Sequence, residues 1–151
     1  MPDQEQLIEN STLTVEGTLG AMIETWNRHD MDAMEALFAP NADFVNVVGM
    51  HFKGSAEIAA AHRLLHNNRF AHTWLKQLQA SVNYITSDIA LAHVRWEMIG
   101  DPAAGPSGIR RGTMTHVLVR KDSQWLFRST QNTDIVRVPE MENDPFWKKF
   151  M

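Results

Sequence analysis

His62 is the side chain of this sequence best suited to acid–base chemistry. It shares a helical stripe with Ile58, Ala61 and Leu65, so we expect it to face either the core or an internal cavity. A neutral imidazole with an ordinary pKa of about 6.5 is well suited to proton transfer. The alternative is a histidine at the edge of the core that makes one hydrogen bond and does no chemistry.

Two amides, Asn46 and Gln131, are candidates for orienting a ligand without exchanging protons with it. Asn46 alternates with Phe44 and Val48, so these three side chains share one face of a predicted strand. On a concave face Asn46 would project into a cavity. Otherwise it bonds neighbouring side chains or backbone, because an unpaired buried amide costs about 1–3 kcal/mol. Gln131 is predicted to share a strand face with Trp125, Phe127 and Ser129.

The predicted strand over 89–99 has one apolar and one charged face. Trp96 lies on the apolar face, which we expect to line the core or a cavity. Arg95 and Glu97 lie on the other face, which we expect to contact solvent or a second subunit. If the strand faced the other way, Arg95 and Glu97 would become a catalytic pair, because reversing the facing moves every side chain to the opposite side.

We predict no metal site and no cofactor. His62, His66 and His72 are near one another in sequence, but no Glu follows His62 as in the HExxH motif and no carboxylate has a suitable spacing. The chain has no Gly-rich phosphate loop and no flavin or nicotinamide fingerprint. Ser129 and Thr130 have no arranged base beside them, which argues against covalent catalysis.

The composition is that of one globular domain. Of 151 residues, 44% are hydrophobic and 21% charged, and the net charge of -4 argues against nucleic-acid binding. With no cysteine, no apolar run long enough to span a bilayer and no signal-peptide pattern, we expect no membrane partner and a cytoplasmic location. The nine Met and five Trp residues favour an apolar, adaptable interior.

Periodicity predicts helices first and strands later. Helices are expected over 13–29, from Asp30 to a stop at Pro40, and over 55–67 with Ser55 as N-cap. Strands are expected over 43–48, 73–85, 89–99, 111–121 and 125–136, with a Gly/Pro-rich loop over 100–110. Short turns at 86–88 and 122–124 indicate antiparallel hairpins.

These elements predict an α+β fold. About three early helices would pack on the concave face of a strongly curved, mixed or antiparallel sheet, which gives a cone-shaped domain over 13–138. Residues 1–12 are expected to form an N-terminal tail. Residues 139–151 form a C-terminal tail that we expect to dock on the domain or on a second subunit, because Phe146, Trp147 and Phe150 are costly to leave in water.

Three local motifs strengthen this prediction. The segments "WNRHDMDAMEALFAPNADFVNVVG", "FKGSAEIAAAH" and "KDSQWLFRSTQNT" resemble, in this order, the SnoaL-like branch of the nuclear-transport-factor-2-like superfamily. The similarity covers roughly residues 13–136. It implies the cystatin-like cone fold and a homodimer. Within this branch the chain resembles a subgroup labelled SgcJ/EcaC-type oxidoreductases, but nothing in the sequence supports redox chemistry.

The steroid isomerases of the same superfamily offer a residue-by-residue comparison. The resemblance places their general base at Asn46, their oxyanion-hole tyrosine at Met22 and their protonated acid at Thr115. An amide takes no proton at neutral pH, Met22 donates no hydrogen bond, and a threonine hydroxyl is a poor acid. Isomerase activity of that type is therefore not expected.

We expect the protein to bind a small apolar or aromatic molecule in the cavity of the cone. The predicted ligand-binding residues are Trp26, Phe44, Trp96, Met22, Thr115, Asn46 and Gln131. One alternative is a cofactor-independent cyclase, isomerase or hydratase that uses His62 as acid or base. The other is a dimeric interaction module without catalysis.

Overall fold

The computed structural model describes residues 3–151. Its helices are α1 Gln4–Ser11, α2 Val15–Asn27, α3 Met31–Glu35, α4 Ser55–His66, α5 Pro139–Glu142 and α6 Pro145–Lys148. Its strands are β1 Phe38–Val45, β2 His51–Lys53, β3 Trp74–Thr86, β4 Ile89–Ile99, β5 Arg110–Lys121 and β6 Gln124–Asp134. The predicted α+β fold is confirmed.

The six strands form one curved sheet in the order β2-β1-β6-β5-β4-β3. The pairs β3–β4, β4–β5, β5–β6 and β1–β2 are antiparallel. The short turns at 86–88 and 122–124 predict the pairs β3–β4 and β5–β6. Strand β1 pairs with β6 in parallel, so the first strand of the chain lies beside the last. The sheet is therefore mixed, and α4 connects β2 to β3, the strands at its two edges.

Helix α2 packs on the concave face of the sheet through the stripe that contains Leu19, Met22 and Trp26, all of which are buried. The Asn27 side chain fixes its end. Nδ2 donates to the Leu75 carbonyl at 2.8 Å, and Oδ1 accepts from the Leu75 N–H at 2.7 Å. This two-way bond between helix and β3 holds the Trp26 indole against the concave face.

Some element bounds differ from the prediction. Residues 4–11 were assigned to a tail but form α1, which Asp3 caps by accepting from the Gln6 N–H at 2.9 Å. Strand β1 begins at Phe38 and contains Pro40, which was expected only to stop a helix. Its pairing with β6 is irregular between Phe38 and Asp43, where a proline without an N–H is tolerated.

The C-terminal tail contacts the outer face of the sheet at its end. The Arg95 guanidinium donates to the main-chain oxygens of Phe150 and Met151. The rings of Phe146 and Trp147 lie 4.9 Å apart between centroids and pack on each other rather than in the core, and both remain substantially exposed. Within residues 3–151, no helix has the length and apolar character needed to cross a bilayer.

Candidate functional site

A cavity of about 350 Å³ lies between α4, the end of α2, the β1–β2 turn and the concave sheet face. Its walls are mostly apolar. The aromatic members of its lining are Trp26, Phe44, Phe52, Phe70 and Trp96, and the polar members are Asn46, His62, Arg69, Arg110 and Asn132. The exposed apolar side chains of Val48, Met50 and Leu64 also line it. Such a concave, largely apolar space with a few polar groups has the character of a small-molecule site.

His62 lies in the wall of this cavity on α4 and is 5% exposed. Its Nδ1 is 2.7 Å from the carbonyl oxygen of Ile58, one helical turn earlier. Because a carbonyl only accepts, Nδ1 carries the proton, and Nε2 is left as an acceptor with no partner among residues 3–151. Burial lowers the pKa of His62 and so favours the neutral ring. The geometry is that of a neutral base with a fixed tautomer.

Asn46 also lines the cavity, but its oxygen has a structural task. Oδ1 accepts from the backbone N–H groups of Val48 at 3.1 Å and Met50 at 2.8 Å, in the turn that follows β1. The strand predicted to reach Val48 in fact ends at Val45, and Gly49 completes the turn with a φ of 84°. Only the Nδ2 donor of Asn46 is without a partner in the described structure, so any contact with a ligand would be through this atom.

Strand β4 faces as the apolar pattern predicts. Ala92, Val94, Trp96 and Met98 are buried on the concave side, whereas Arg95 and Glu97 lie on the outer side. The Trp96 indole forms part of the cavity wall, and its Nε1 donates to Asn132 Oδ1 at 2.9 Å. The possible catalytic pair of Arg95 and Glu97 is therefore ruled out by the facing of this strand.

Strand β6 does not alternate as predicted. Phe127 pairs with Leu118 and Ser129 with Val117, so Arg128 is an extra residue that forms a bulge. After the bulge, Thr130 and Asn132 point inward and Gln131 is exposed. The prediction that Gln131 faces the cavity together with Trp125 and Phe127 is therefore wrong.

Two further predicted ligand-binding residues do not line the cavity. Thr115 lies on the outer face of β5, because its neighbours Met114 and His116 are the inward, buried residues. Met22 is 2% exposed and belongs to the closed core under α2. The structure thus brings together His62, Asn46, Trp26, Phe44 and Trp96, and it leaves out Gln131, Thr115 and Met22.

One polar cluster at the cavity was not predicted from the sequence. The Arg69 guanidinium donates through Nε and Nη2 to both oxygens of Asp101, at 2.9 and 2.8 Å. Arg110 donates through Nη1 to Asp101 at 2.8 Å and through Nε to Asp134 at 3.0 Å. The Asp101 carboxylate is completely buried, and its hydrogen bonds to the two guanidiniums hold its pKa well below the usual range.

Two other buried histidines, His66 and His116, do not line the cavity. His66 Nδ1 is 2.8 Å from His29 Nδ1, and its buried Nε2 has no partner in the described part of the chain. Burial and the neighbouring His29 lower the pKa of His66 to about 4. His116 Nδ1 is hydrogen-bonded to Thr130 Oγ1 at 2.7 Å, and burial lowers its pKa to about 3. Within residues 3–151, no three His, Asp or Glu side chains have the arrangement of a metal site.

Lowering the pH is expected to destabilise the protein through His116. Its pKa is about 3 when folded and 6.5 as an ordinary histidine, so only the unfolded chain takes up a proton between these values. Stability is therefore lost as the pH falls below 6.5, by about 2 kcal/mol for this residue between roughly pH 7 and pH 5. Urea unfolding at both pH values measures the loss. His116→Gln should remove this part of the pH dependence, and the same change at exposed His72 should not. An equal pH dependence in both variants would contradict the assignment.

The comparisons with known proteins agree with this fold. The family model described as the SnoaL-like domain matches residues 19–127, which is most of the chain and includes α3, α4 and strands β1 to β5. The chain belongs to the SnoaL-like domain family. Among curated proteins, none is similar enough in sequence to count as a relative of this SnoaL-like protein.

Solved structures show the same architecture. An uncharacterised protein with a cystatin-like fold from Caulobacter vibrioides is 24% identical, with a TM-score of 0.77 over 92% of this chain and 99% of the other. A domain of unknown function with a cystatin-like fold from Nostoc punctiforme is 25% identical, with a TM-score of 0.73 over 90% and 82%. An NTF2-like protein of unknown function from Pseudomonas putida is 15% identical, with a TM-score of 0.71 over 83% and 87%. They show the same fold, and they identify no ligand.

Proposed function

We propose that this SnoaL-like protein binds a small, largely apolar molecule in the cavity between α4 and the concave face of the sheet. The observation that carries the proposal is the cavity itself, about 350 Å³ in volume and lined mostly by apolar and aromatic side chains. Protein cores are close-packed and leave few voids larger than a water molecule. An apolar space of this size, with aromatic walls and a few polar groups, suits an aromatic or alicyclic ligand.

Filling the cavity is the direct test. Ala61 lines the cavity, and its neighbour Ala60 on the same helix is exposed, so Ala61→Phe and Ala60→Phe form a matched pair. We expect the neutral fluorophore N-phenyl-1-naphthylamine to bind saturably to the unmodified protein and to Ala60→Phe. Its affinity should fall about tenfold or more in Ala61→Phe, since the added ring occupies the site. Equal affinities in the two variants, or no saturable binding to the unmodified protein, would refute the proposal.

A second candidate function is cofactor-independent catalysis with His62 as general base. The observation that favours it is the hydrogen bond from Nδ1 to the Ile58 carbonyl, which fixes the tautomer and leaves Nε2 as the acceptor. Turnover of any bound substrate should then disappear in His62→Gln while binding persists, and turnover that survives this change would exclude the role. The cytoplasmic location and the homodimer expected from the sequence stay predictions.

A further inference from the structure

Three of the five polar side chains that line the cavity belong to one connected cluster. We call Arg69, Arg110 and Asn132 the polar end, because all three line the cavity. Arg69 and Arg110 share Asp101, and the Arg110 guanidinium lies 5.3 Å from the centroid of the Trp96 ring, whose Nε1 donates to Asn132. The remaining lining is largely apolar and aromatic. The state of each donor at this end therefore determines which polar group a ligand would need.

The amide of Asn132 has a defined orientation. Its Oδ1 is 2.9 Å from the Trp96 Nε1, and since an indole N–H only donates, the oxygen is the atom that faces the ring. Nδ2 is left as a donor with no partner in the described structure. Asn132 lines the cavity, so Nδ2 is the atom of this amide that is left for a ligand there.

The two guanidiniums are already compensated in charge. Arg69 uses Nε and Nη2 on Asp101, and Arg110 uses Nη1 on Asp101 and Nε on Asp134. Two positive groups thus face two negative groups, and the Nη1 of Arg69 and the Nη2 of Arg110 remain as donors without excess charge behind them. An additional carboxylate here would place three negative groups against two positive groups and would lose its hydration.

We infer that the cavity takes an aromatic or alicyclic molecule whose polar group is an uncharged acceptor oxygen, such as a ketone, ester or amide carbonyl. The Nδ2 of Asn132 and the Nη2 of Arg110 donate to that oxygen, while Trp96, Trp26 and Phe44 contact the apolar body. This inference rests on the proposed function, and it adds the chemical class of the ligand. A cavity without donors that bind this oxygen would take apolar molecules with no preference among their polar groups.

Three probes of nearly equal shape test the inference: 2-acetylnaphthalene, 2-isopropenylnaphthalene and 2-naphthoate. The first has a carbonyl, the second a carbon–carbon double bond in its place, and the third a carboxylate. Titration calorimetry at neutral pH should give the ketone an affinity about tenfold higher than the alkene, because a buried unpaired donor is costly. The carboxylate should bind more weakly than the ketone.

Asn132→Asp tests the donor itself. The aspartate keeps an oxygen for the Trp96 Nε1 and replaces the Nδ2 donor by a second acceptor, so we expect the ketone to bind about tenfold more weakly and the alkene to bind as before. Gln131→Glu is the matched control, since it also replaces an amide by a carboxylate, but at the preceding residue, which is exposed. It should leave both affinities unchanged.

The outcomes separate the inference from the proposed function. Equal affinities of ketone and alkene for the unmodified protein, both lowered by Ala61→Phe, would overturn the inference and keep the apolar cavity as a binding site. A carboxylate that binds more tightly than the ketone would overturn it in favour of an anion site. Absence of binding by all three probes would overturn both. The comparison of probes on the unmodified protein needs no variant, so a folding defect in Asn132→Asp does not remove the test.

Discussion

Replacing Asp101 by asparagine is expected to lower the free energy of unfolding by about 3 kcal/mol. The carboxylate is completely buried and accepts from Arg69, Arg110 and the Ala103 N–H. An asparagine presents an NH₂ group to one of the guanidiniums and leaves the charge of Arg110, which is 16% exposed, without its nearest partner. Arg69 is 42% exposed and regains part of its hydration, which keeps the loss at the lower end of the range for broken buried pairs.

Urea unfolding of Asp101→Asn measures this loss, with Asp88→Asn as the control. Asp88 makes the same kind of bond to Arg120 at 2.9 Å, but both side chains are exposed to solvent. The control change should therefore cost less than about 1 kcal/mol. If the free energy of unfolding falls by the same small amount in both variants, Asp101 does not hold the polar end of the cavity together.

Gly112→Ala is expected to destabilise the protein by about 3 kcal/mol and to abolish binding in the cavity. Gly112 lies directly opposite Trp96 across the β4–β5 pair, and the indole lies over it. A Cβ at this position would be 2.1 Å from Cζ2 of Trp96 and 2.6 Å from the carbonyl oxygen of Thr133. The backbone cannot yield without breaking the strand pairing, so the indole would have to move into the cavity.

Gly20→Ala is the control for this change. Gly20 is in the interior of α2, and a Cβ there meets nothing within 4 Å. The added methyl should raise stability by up to about 1 kcal/mol, because alanine favours a helix more than glycine does. Thermal unfolding and N-phenyl-1-naphthylamine binding measure both variants. A Gly112→Ala protein that is as stable as Gly20→Ala, and that still binds the fluorophore, would show that Trp96 is free to move.

The regular parts of the fold could be predicted from the sequence because the sequence patterns that specify them are local. The stripe through Leu19, Met22 and Trp26 depends only on helical periodicity, and the alternation around Trp96 depends only on the pleat of a strand. The cap at Asp30 follows from its own side chain, which accepts from the Ala33 N–H at 3.0 Å. In each case the residues that decide the structure are within a few positions of one another.

The site could be predicted only in part, and the bulge at Arg128 explains most of the difference between the predicted and the observed lining residues. Period-two alternation carried past Ser129 predicts that Gln131 points inward, and one extra residue exchanges it for Asn132. Nothing in the local composition marks the bulge, because it depends on pairing with both β1 and β5. The Asn46 turn is similar, since only the positions of Val48 and Met50 show that its oxygen is already used.

The Arg69–Asp101–Arg110 cluster could not be predicted for a different reason. Its members come from the segment after α4, the Gly/Pro-rich loop and the start of β5, so the distance in sequence between partners reaches 32 residues. A lone Asp in a loop has many possible roles. The contact requires the hairpin of β4 and β5 to be in its final register, and that information is spread over the whole sheet.

The bulge in β6 divides the strand into two sections with separate tasks. Before Arg128, Trp125 and Phe127 belong to the closed core on which folding depends, and after it Thr130 and Asn132 point to the concave side. Asn132 is the residue of the second section that lines the cavity, so a substitution there alters the cavity wall without repacking Trp125 and Phe127. A strand arranged in this way places a cavity-wall position and core positions in one continuous element, separated by a single extra residue.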